Sequence, residues 1–323
     1  MKNQAIGYIY CLVCLLSLSA CLREEIPIQP FDRGDAVIAS VSMQANYQDQ
    51  VWYDLGTNQI ISTNAKTDWE IGLLCADSIW GIRLNSSLAM QAAATGSEDF
   101  EAINTSSGFH FRPDHPSGNI DSLALAGWEL DQVYVLDLGY TPSGQQRGFR
   151  KIVLRSSENE TYQIQYAKLD GTDEKSISIT KDEQYNFMGY SLSEHEIRLV
   201  EPPKDQYDLC FTQYMHIFYD PYLPYLVTGV LTNPNRTQVA LDSIAEFVEI
   251  EALDADRLVW SDAQDAIGYA WKYYDLQASS FTVFPKQVFM IRDHEGFLYK
   301  LHFLDFYDDL GNKGTPNFAF QRL

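Results

Sequence analysis

Apolar and polar residues alternate with a period of two along most of the chain from residue 35 onward. The alternation is clear in Val37/Ala39/Val41, Ile152/Leu154, Tyr162/Ile164/Tyr166, Leu301/Phe303 and Phe318/Phe320. Successive side chains of a strand point to opposite faces of a sheet, so this period predicts strands with one face in a core. Segments rich in Gly, Asn and Pro separate these runs and predict turns. Helix is expected only locally, within residues 88–94 and 237–253, and a strand remains an alternative in the second segment.

The same series of blocks occurs twice in the chain. Residues 52–55, 60 and 67–73 are echoed by 189–192, 197 and 205–211; residues 97–103 by 244–250; and residues 133–136 with 151–154 by 288–291 with 300–303. A repeat of this length indicates a duplicated domain and not a solenoid unit. The sequence therefore predicts a mainly β chain of two tandem antiparallel β domains, residues 35–172 and 173–323.

The first twenty residues resemble a bacterial signal peptide. Their only charge is Lys2, and the apolar run 6–18 is shorter than the ~20 residues that a membrane span needs. The sequence Leu18-Ser19-Ala20-Cys21 resembles a lipobox, which predicts lipidation of Cys21 and a tether over residues 21–34; an ordinary signal peptide is the alternative. The acidic stretch after Cys21 resembles a surface-export signal, so both the cell surface and the periplasmic face of the outer membrane remain open.

The chain is strongly acidic. Its formal charge of −21 becomes −22 when residues 1–20, with Lys2, are removed. This charge disfavours nucleic-acid partners, because a phosphate backbone would be repelled. The sequence contains no G-x-S-x-G, HExxH or P-loop motif, so we expect no enzyme, no catalytic residue and no structural metal. Cys75 and Cys210 are expected to be buried free thiols, with a disulfide as the alternative.

Several motifs in a fixed order resemble the HmuY-like bacterial lipoproteins. Trp69-Glu70-Ile71-Gly72-Leu73 and Ile82-Arg83-Leu84-Asn85 stand where that family has two characteristic strands. Residues 207–211 and 217–218 resemble a diverged second copy, and residues 299–308 with 314–320 resemble the end of the family's domain. The resemblance covers the mature chain as two copies of the domain. It implies an all-β lipoprotein and, as in some members, haem uptake through two histidines or through methionines.

The central region of the first half contains the residue types that a haem site needs. Residues 108–116 include His110 and His115 as candidate axial ligands, and Arg112 as a candidate contact for a propionate. A polar loop with exposed histidines is the alternative. In the second half, residues 232–285 contain no histidine or methionine, so Met215 and His216 are secondary ligand candidates, with core packing as their alternative. His294 lies in a charged, turn-like segment and is predicted to be exposed.

The sequence therefore supports two kinds of binding protein. The first is a lipid-anchored, non-enzymatic protein that binds haem or another porphyrin, with an outer-membrane transporter as a further partner. The second is a surface lipoprotein that binds a glycan or a protein through the aromatic segment 214–225. Aromatic side chains suit the second class because they offer flat apolar surface with a polar tip.

Overall fold

The structure, a computed structural model, describes residues 34–76, 79–126, 129–158 and 160–323. Cys21, the signal peptide and most of the tether lie outside the described residues. The described part contains twenty strands: β1 Val37–Ser40, β2 Asp49–Asp54, β3 Gln59–Ala65, β4 Ile71–Leu74, β5 Ile82–Leu84, β6 Gln91–Ala94, β7 Val133–Asp137, β8 Phe149–Glu158, β9 Thr161–Lys168, β10 Lys175–Thr180, β11 Phe187–Ser191, β12 Glu196–Arg198, β13 Leu209–Tyr219, β14 Tyr222–Thr232, β15 Gln238–Asp242, β16 Lys272–Asp275, β17 Ser280–Val283, β18 Val288–Arg292, β19 Leu298–Tyr307 and β20 Lys313–Arg322.

These strands confirm the mainly β prediction. The helical elements of the described residues are short 3₁₀ helices, at Ser86–Leu88, Ile120–Ser122, Phe247–Glu249 and Ala252–Arg257. The helix expected within residues 88–94 is wrong, because residues 91–94 form β6. For residues 237–253 the alternative of a strand is correct at the start of the segment, where β15 pairs with β18. Tertiary pairing overrides weak local helix propensity in both segments.

The first lobe consists of two sheets that face each other across one core. Their strand orders are β10-β9-β8-β7-β6 and β12-β11-β4-β5, and every named pair is antiparallel. The core between them includes Ile71, Leu136, Ile164 and Tyr190. Burying such side chains contributes about 1.5–3 kcal/mol each and is the main source of stability for a sandwich of this kind.

The second lobe repeats this plan with a larger share of aromatic side chains. Its sheets have the orders β1-β20-β19-β18-β15 and β14-β13-β2-β3, and the hairpin β16–β17 forms a separate two-stranded sheet. In the core, the rings of Trp271 and Phe303 are stacked with centroids 3.8 Å apart, and Phe211 stacks on Phe318 at 5.4 Å. Many of the chain's aromatic side chains therefore pack in this core, and others line a surface groove.

Strands of the two sequence halves are exchanged between the lobes. The hairpin β2–β3 from the first half pairs with β13, and the hairpin β11–β12 from the second half pairs with β4. Likewise β1 pairs with β20, and β10 pairs with β9. Neither residues 35–172 nor residues 173–323 therefore hold one of these cores alone, which differs from the expected division into sequential domains. Residues 35–323 form one compact unit.

This difference has a physical reason. Alternation of apolar and polar residues identifies the buried face of a strand, but it does not identify the strand that pairs with it.

The repeated blocks nevertheless occupy corresponding places in the two lobes. Lys151 and Lys300 are both buried, and their ammonium groups donate to the carbonyls of Phe100 and Ile250. Each ammonium also lies over an aromatic ring, 4.4 Å from the Phe100 centroid and 4.8 Å from that of Phe247. Duplication of the domain remains a prediction, and it would account for the similar contacts of Lys151 and Lys300.

Cys75 and Cys210 are buried free thiols, as expected. Burial raises the pKa of each thiol, so neither is a ready nucleophile. In the part of the chain that the structure describes, no helix has both the length and the apolar character needed to cross a bilayer.

Candidate functional site

The loop that carries His110 and Arg112 is built into the first lobe at the edge of β6. Arg112 and Ala92 exchange two backbone hydrogen bonds of 3.0 Å. The guanidinium of Arg112 donates to the carbonyl oxygens of Leu123 at 2.9 Å and Ala124 at 3.2 Å. Arg112 therefore ties two loop segments together, which uses part of the donor capacity that we expected to serve a propionate.

The two histidines of this loop lie in different surroundings. His110 is exposed between Phe109 and Phe111, whose rings pack on the cluster around Phe100. His115 is half-buried, with Nδ1 at 2.8 Å from the Ser117 hydroxyl. The structure therefore does not present His110 and His115 as one ligand pair.

His115 instead joins the tip of the β13–β14 hairpin. Its Nε2 lies 2.9 Å from the hydroxyl of Tyr219, a residue distant in sequence. The neighbouring Asp114 is buried and accepts from the backbone N–H groups of Leu84 and Ala124, both at 2.7 Å. Burial raises the pKa of Asp114 to about 6 despite these donors. This anchored carboxyl group fixes the loop to other segments of the first half, and the contact between His115 and Tyr219 reaches from there to the second half.

Met215 and His216 point to opposite faces of β13, as the strand period requires. Met215 is buried. His216 makes edge-to-face contacts with Phe218 and Tyr269, with ring centroids 4.8 and 4.9 Å apart. Its Nδ1 is buried and has no hydrogen-bond partner. Burial lowers the pKa of His216, and the carboxylate of Asp265 partly offsets this effect. His216 is the more available of the two donors.

Phe218 and Tyr269 are also walls of a large groove, which we call the aromatic groove. It has a volume of about 720 Å³ and is lined by β14, the hairpin β16–β17 and flanking residues. Its aromatic side chains are Tyr47, Phe218, Tyr225, Tyr269, Tyr273, Tyr274 and Phe281. The volume lies within the ~300–1,000 Å³ typical of ligand pockets. The groove therefore offers flat apolar walls. His216 contacts two of the wall residues, Phe218 and Tyr269, but is not itself among the residues that line the groove.

The charge of the aromatic groove is opposite to that of the chain. Its lining contains Lys272 and Lys313 and no Asp or Glu, in a protein with 44 acidic and 23 basic residues. Lys313 is exposed, with Nζ 5.3 Å from the ring centroid of Tyr47, whereas Lys272 is buried. A carboxylate on a flat ligand would be attracted to this groove and repelled by most other parts of the surface.

Two local features hold the groove walls in place. A Cβ atom on Gly229 would lie 2.3 Å from the carbonyl oxygen of Gly268, so glycine is required where β14 and the segment before Tyr269 meet. The turn of the β16–β17 hairpin is closed by Asp275, whose carboxylate accepts from the N–H groups of Gln277 and Ala278. These contacts place the wall residues before any ligand arrives.

Sequence reasoning missed the contribution of residues 269–281 to this site. The absence of histidine and methionine from residues 232–285 had argued against a second, equivalent haem site and gave this segment no role in binding. The available signal was its aromatic run, Tyr269, Trp271, Tyr273 and Tyr274, interrupted only by Ala270 and Lys272. Elsewhere, two cavities of about 30 and 20 Å³ accommodate little more than a water molecule. Within the described ranges, no group of three or more His, Cys, Asp or Glu residues is arranged to hold a metal ion.

Comparison with known proteins identifies one family. The model of the family described as HmuY protein matches residues 46–320. Among solved structures, the chain is similar to apo PinO from Porphyromonas gingivitis, with 11% identity over 90% of this chain and 99% of that chain and a TM-score of 0.36. It is also similar to the apo HmuY analogue TFO of Tannerella forsythia, with 11% identity over 90% and 98% of the two chains and a TM-score of 0.26. None of the curated proteins compared with the chain matches it. The assignment rests on the family match and not on these distant structures.

Proposed function

Because the chain belongs to the HmuY family, we propose that it is a non-enzymatic, lipid-anchored protein that binds haem in the aromatic groove. The observation that carries this proposal is the position of His216 between Phe218 and Tyr269, two wall residues of that groove. Haem needs a flat apolar slot, an axial donor and cations for its propionates. The groove and its border supply all three kinds of group.

His216 is the residue that would hold the haem iron. An imidazole coordinates iron only when it is neutral, and burial lowers the pKa of His216, so the neutral form persists to more acidic pH. His115 is the second donor candidate, because it is held nearby by Tyr219. To bind iron through Nε2, His115 would have to give up its hydrogen bond with the hydroxyl of Tyr219. His110, which is exposed in the loop of the first lobe, is the weaker candidate.

The proposed location is the outer membrane. Lipidation of Cys21 would anchor the chain without a spanning helix, because each buried CH₂ of an acyl chain contributes roughly 0.8 kcal/mol. Residues 21–34 would then act as the tether, at either the cell surface or the periplasmic face. An outer-membrane transporter is the natural recipient of a ligand held in this way.

The proposal is tested by titrating haemin into residues 22–323 and following the Soret band in oxidised and reduced states. We expect a saturable, shifted band with one haem per chain, since one aromatic groove is present in the described part of the molecule. Absence of any shift at micromolar haemin would refute haem binding. Two haems per chain would show that the first lobe holds a site of its own.

A second function is favoured by the exposed end of the same hairpin. Tyr219, Tyr222 and Tyr225 are 68%, 56% and 58% exposed. Exposed aromatic rings of this kind suit stacking on a sugar or packing on a protein partner. This function predicts glycan or protein binding that is lost when Tyr222 and Tyr225 are replaced by alanine, without any spectral response to haemin.

A further inference from the structure

The amino group of Lys272 is buried at the wall of the aromatic groove. The residue is 6% exposed and its Nζ donates to the carbonyl oxygen of Thr228 at 2.6 Å. The ammonium also lies 4.1 Å from the ring centroid of Trp271 and 4.6 Å from that of Phe306. No carboxylate forms an ion pair with it among the described residues. An ammonium has three N–H donors, and the one hydrogen bond seen here leaves capacity for an anion.

The position of Lys272 distinguishes it from the other buried lysines. Lys151 and Lys300 show a similar arrangement of one carbonyl and one aromatic ring, and Lys66 donates to the side-chain oxygen of Gln213, but none of the three lines the aromatic groove. Burial lowers the pKa of Lys272 to about 7, because no nearby carboxylate compensates for the lost hydration. A ligand carboxylate that reached Nζ would provide the missing compensation.

We propose that Lys272 is the counter-ion for a carboxylate of the ligand, so that the aromatic groove takes flat aromatic carboxylic acids and rejects their esters. This inference rests on the proposed function, since it concerns the same groove. Lys313, which is exposed at another part of the lining, is screened by solvent and contributes less to the selection. Lys272 is therefore the residue that determines specificity.

Pairing with a carboxylate would also change the protonation of Lys272. In the free protein at pH 8, an amine with a pKa of about 7 is mostly neutral. An adjacent carboxylate raises the pKa of the amine, so ligand binding at pH 8 takes up about one proton per site. Proton uptake is a readout that a purely structural lysine would not change.

The experiment compares haemin with haemin dimethyl ester at pH 8 in the same detergent, using residues 22–323 and the variants Lys272→Met and Lys313→Met. Calorimetry in two buffers of different ionisation enthalpy measures the proton uptake. We expect the ester to bind about tenfold or more weakly to the wild type. We also expect Lys272→Met to remove both the preference and the uptake, and Lys313→Met to retain them.

The outcomes separate this inference from the proposed function. If neither haemin nor its ester binds, the proposed function fails. If both bind equally to the wild type, or if the wild type binds haemin without taking up a proton, only the role of Lys272 is overturned. The comparison of acid with ester in the wild type remains decisive even if Lys272→Met fails to fold. A Lys272→Met variant that folds and still prefers the acid would also overturn the inference.

Discussion

Asp208 and His294 face each other inside the second lobe, with Oδ1 and Nδ1 3.8 Å apart. This distance fits an ion-pair contact but is too long for a hydrogen bond. Neither of the two atoms has a hydrogen-bond partner. The other carboxylate oxygen of Asp208 accepts from the backbone N–H of Leu55 at 2.8 Å. The pair therefore lies where the exchanged hairpin β2–β3 meets the strand β13. His294 was predicted to be exposed, but its side chain is only 10% exposed, which corrects that expectation.

The corresponding place in the first lobe is occupied by a different pair. There Glu70 accepts from the backbone N–H of Leu192 at 2.7 Å and is paired with Arg147. Leu192 directly follows β11 of the exchanged hairpin β11–β12, as Leu55 follows β2 in the second lobe. An arginine stays charged at all relevant pH values, whereas a histidine titrates near neutrality. The first lobe thus has a permanent pair and the second lobe a titratable one.

The pair of Asp208 and His294 should therefore make the free energy of unfolding decrease as the pH rises. The neighbouring carboxylate of Asp208 raises the pKa of His294 above 6.5, with further contributions from Asp293 and Asp205 and an opposing one from burial. A raised histidine pKa gives a stabilisation that is fully present below pH 6.5 and is lost as the pH rises through the folded-state value. Urea unfolding of the wild type and of His294→Arg, compared between pH 6 and pH 9, isolates this contribution. The variant should lose less stability than the wild type.

The reciprocal change provides the matched control for that prediction. Arg147→His in the first lobe should introduce the same kind of pH dependence beside Glu70, because it replaces a permanent charge with a titratable one. Equal pH profiles for the wild type and His294→Arg would show that His294 carries no titratable stabilisation.

The buried amides Asn85 and Asn233 should be essential to the two lobes. The Nδ2 of Asn233 donates to the carbonyls of Lys204 and Tyr207, both at 2.7 Å. Replacing it with alanine leaves these acceptors buried and unsatisfied, so we expect a loss of about 2–4 kcal/mol of unfolding free energy. The measurement is chemical denaturation.

Asn85→Ala should cost a similar amount, because the Nδ2 of Asn85 donates to the carbonyls of Lys66 and Trp69 at 2.7 and 2.8 Å. The exposed Asn104 provides the control, and Asn104→Ala should change stability by no more than about 0.5 kcal/mol. A large effect in one lobe and none in the other would contradict the correspondence of Asn85 and Asn233.

The histidine series tests which donor binds haem. His216→Ala should weaken haemin binding by about tenfold or more and alter the Soret band, since it removes the donor beside the groove walls. His115→Ala should have an intermediate effect, and His110→Ala should leave the titration unchanged because that side chain is exposed in the first lobe. Loss of binding in His110→Ala with normal binding in His216→Ala would return the site to the loop of residues 108–116.

Strand exchange predicts how fragments of the chain behave. Residues 35–172 lack β11 and β12, which complete the sheet of β4 and β5, and residues 173–323 lack β1, β2 and β3. Each fragment alone should expose sheet edges and core, and should not show cooperative unfolding by circular dichroism. Mixed and refolded together, they should form a one-to-one complex on size-exclusion chromatography. A monomeric fragment 35–172 with a cooperative transition would indicate that the first half folds alone.

Much of the local structure could be read from the chain before its folding was known. Alternation in Tyr162/Ile164/Tyr166 placed these side chains on the buried face of β9, and all three are buried. The order of motifs such as Trp69-Glu70-Ile71 pointed to the family that the match over residues 46–320 shows. These inferences succeed because the buried face of a strand follows from the period of its own residues.

The neighbours of each strand, and therefore the candidate site, were decided only by the tertiary structure. His115 meets Tyr219 across 104 residues of sequence, and the walls of the aromatic groove come from β13, β14, the hairpin β16–β17, the segment around Tyr47 and the start of β20. The local pattern of a strand indicates which of its residues are buried, but it does not indicate which other strand will pair with it. The free energy that selects the exchanged arrangement comes from packing the complete cores, and no short segment encodes it.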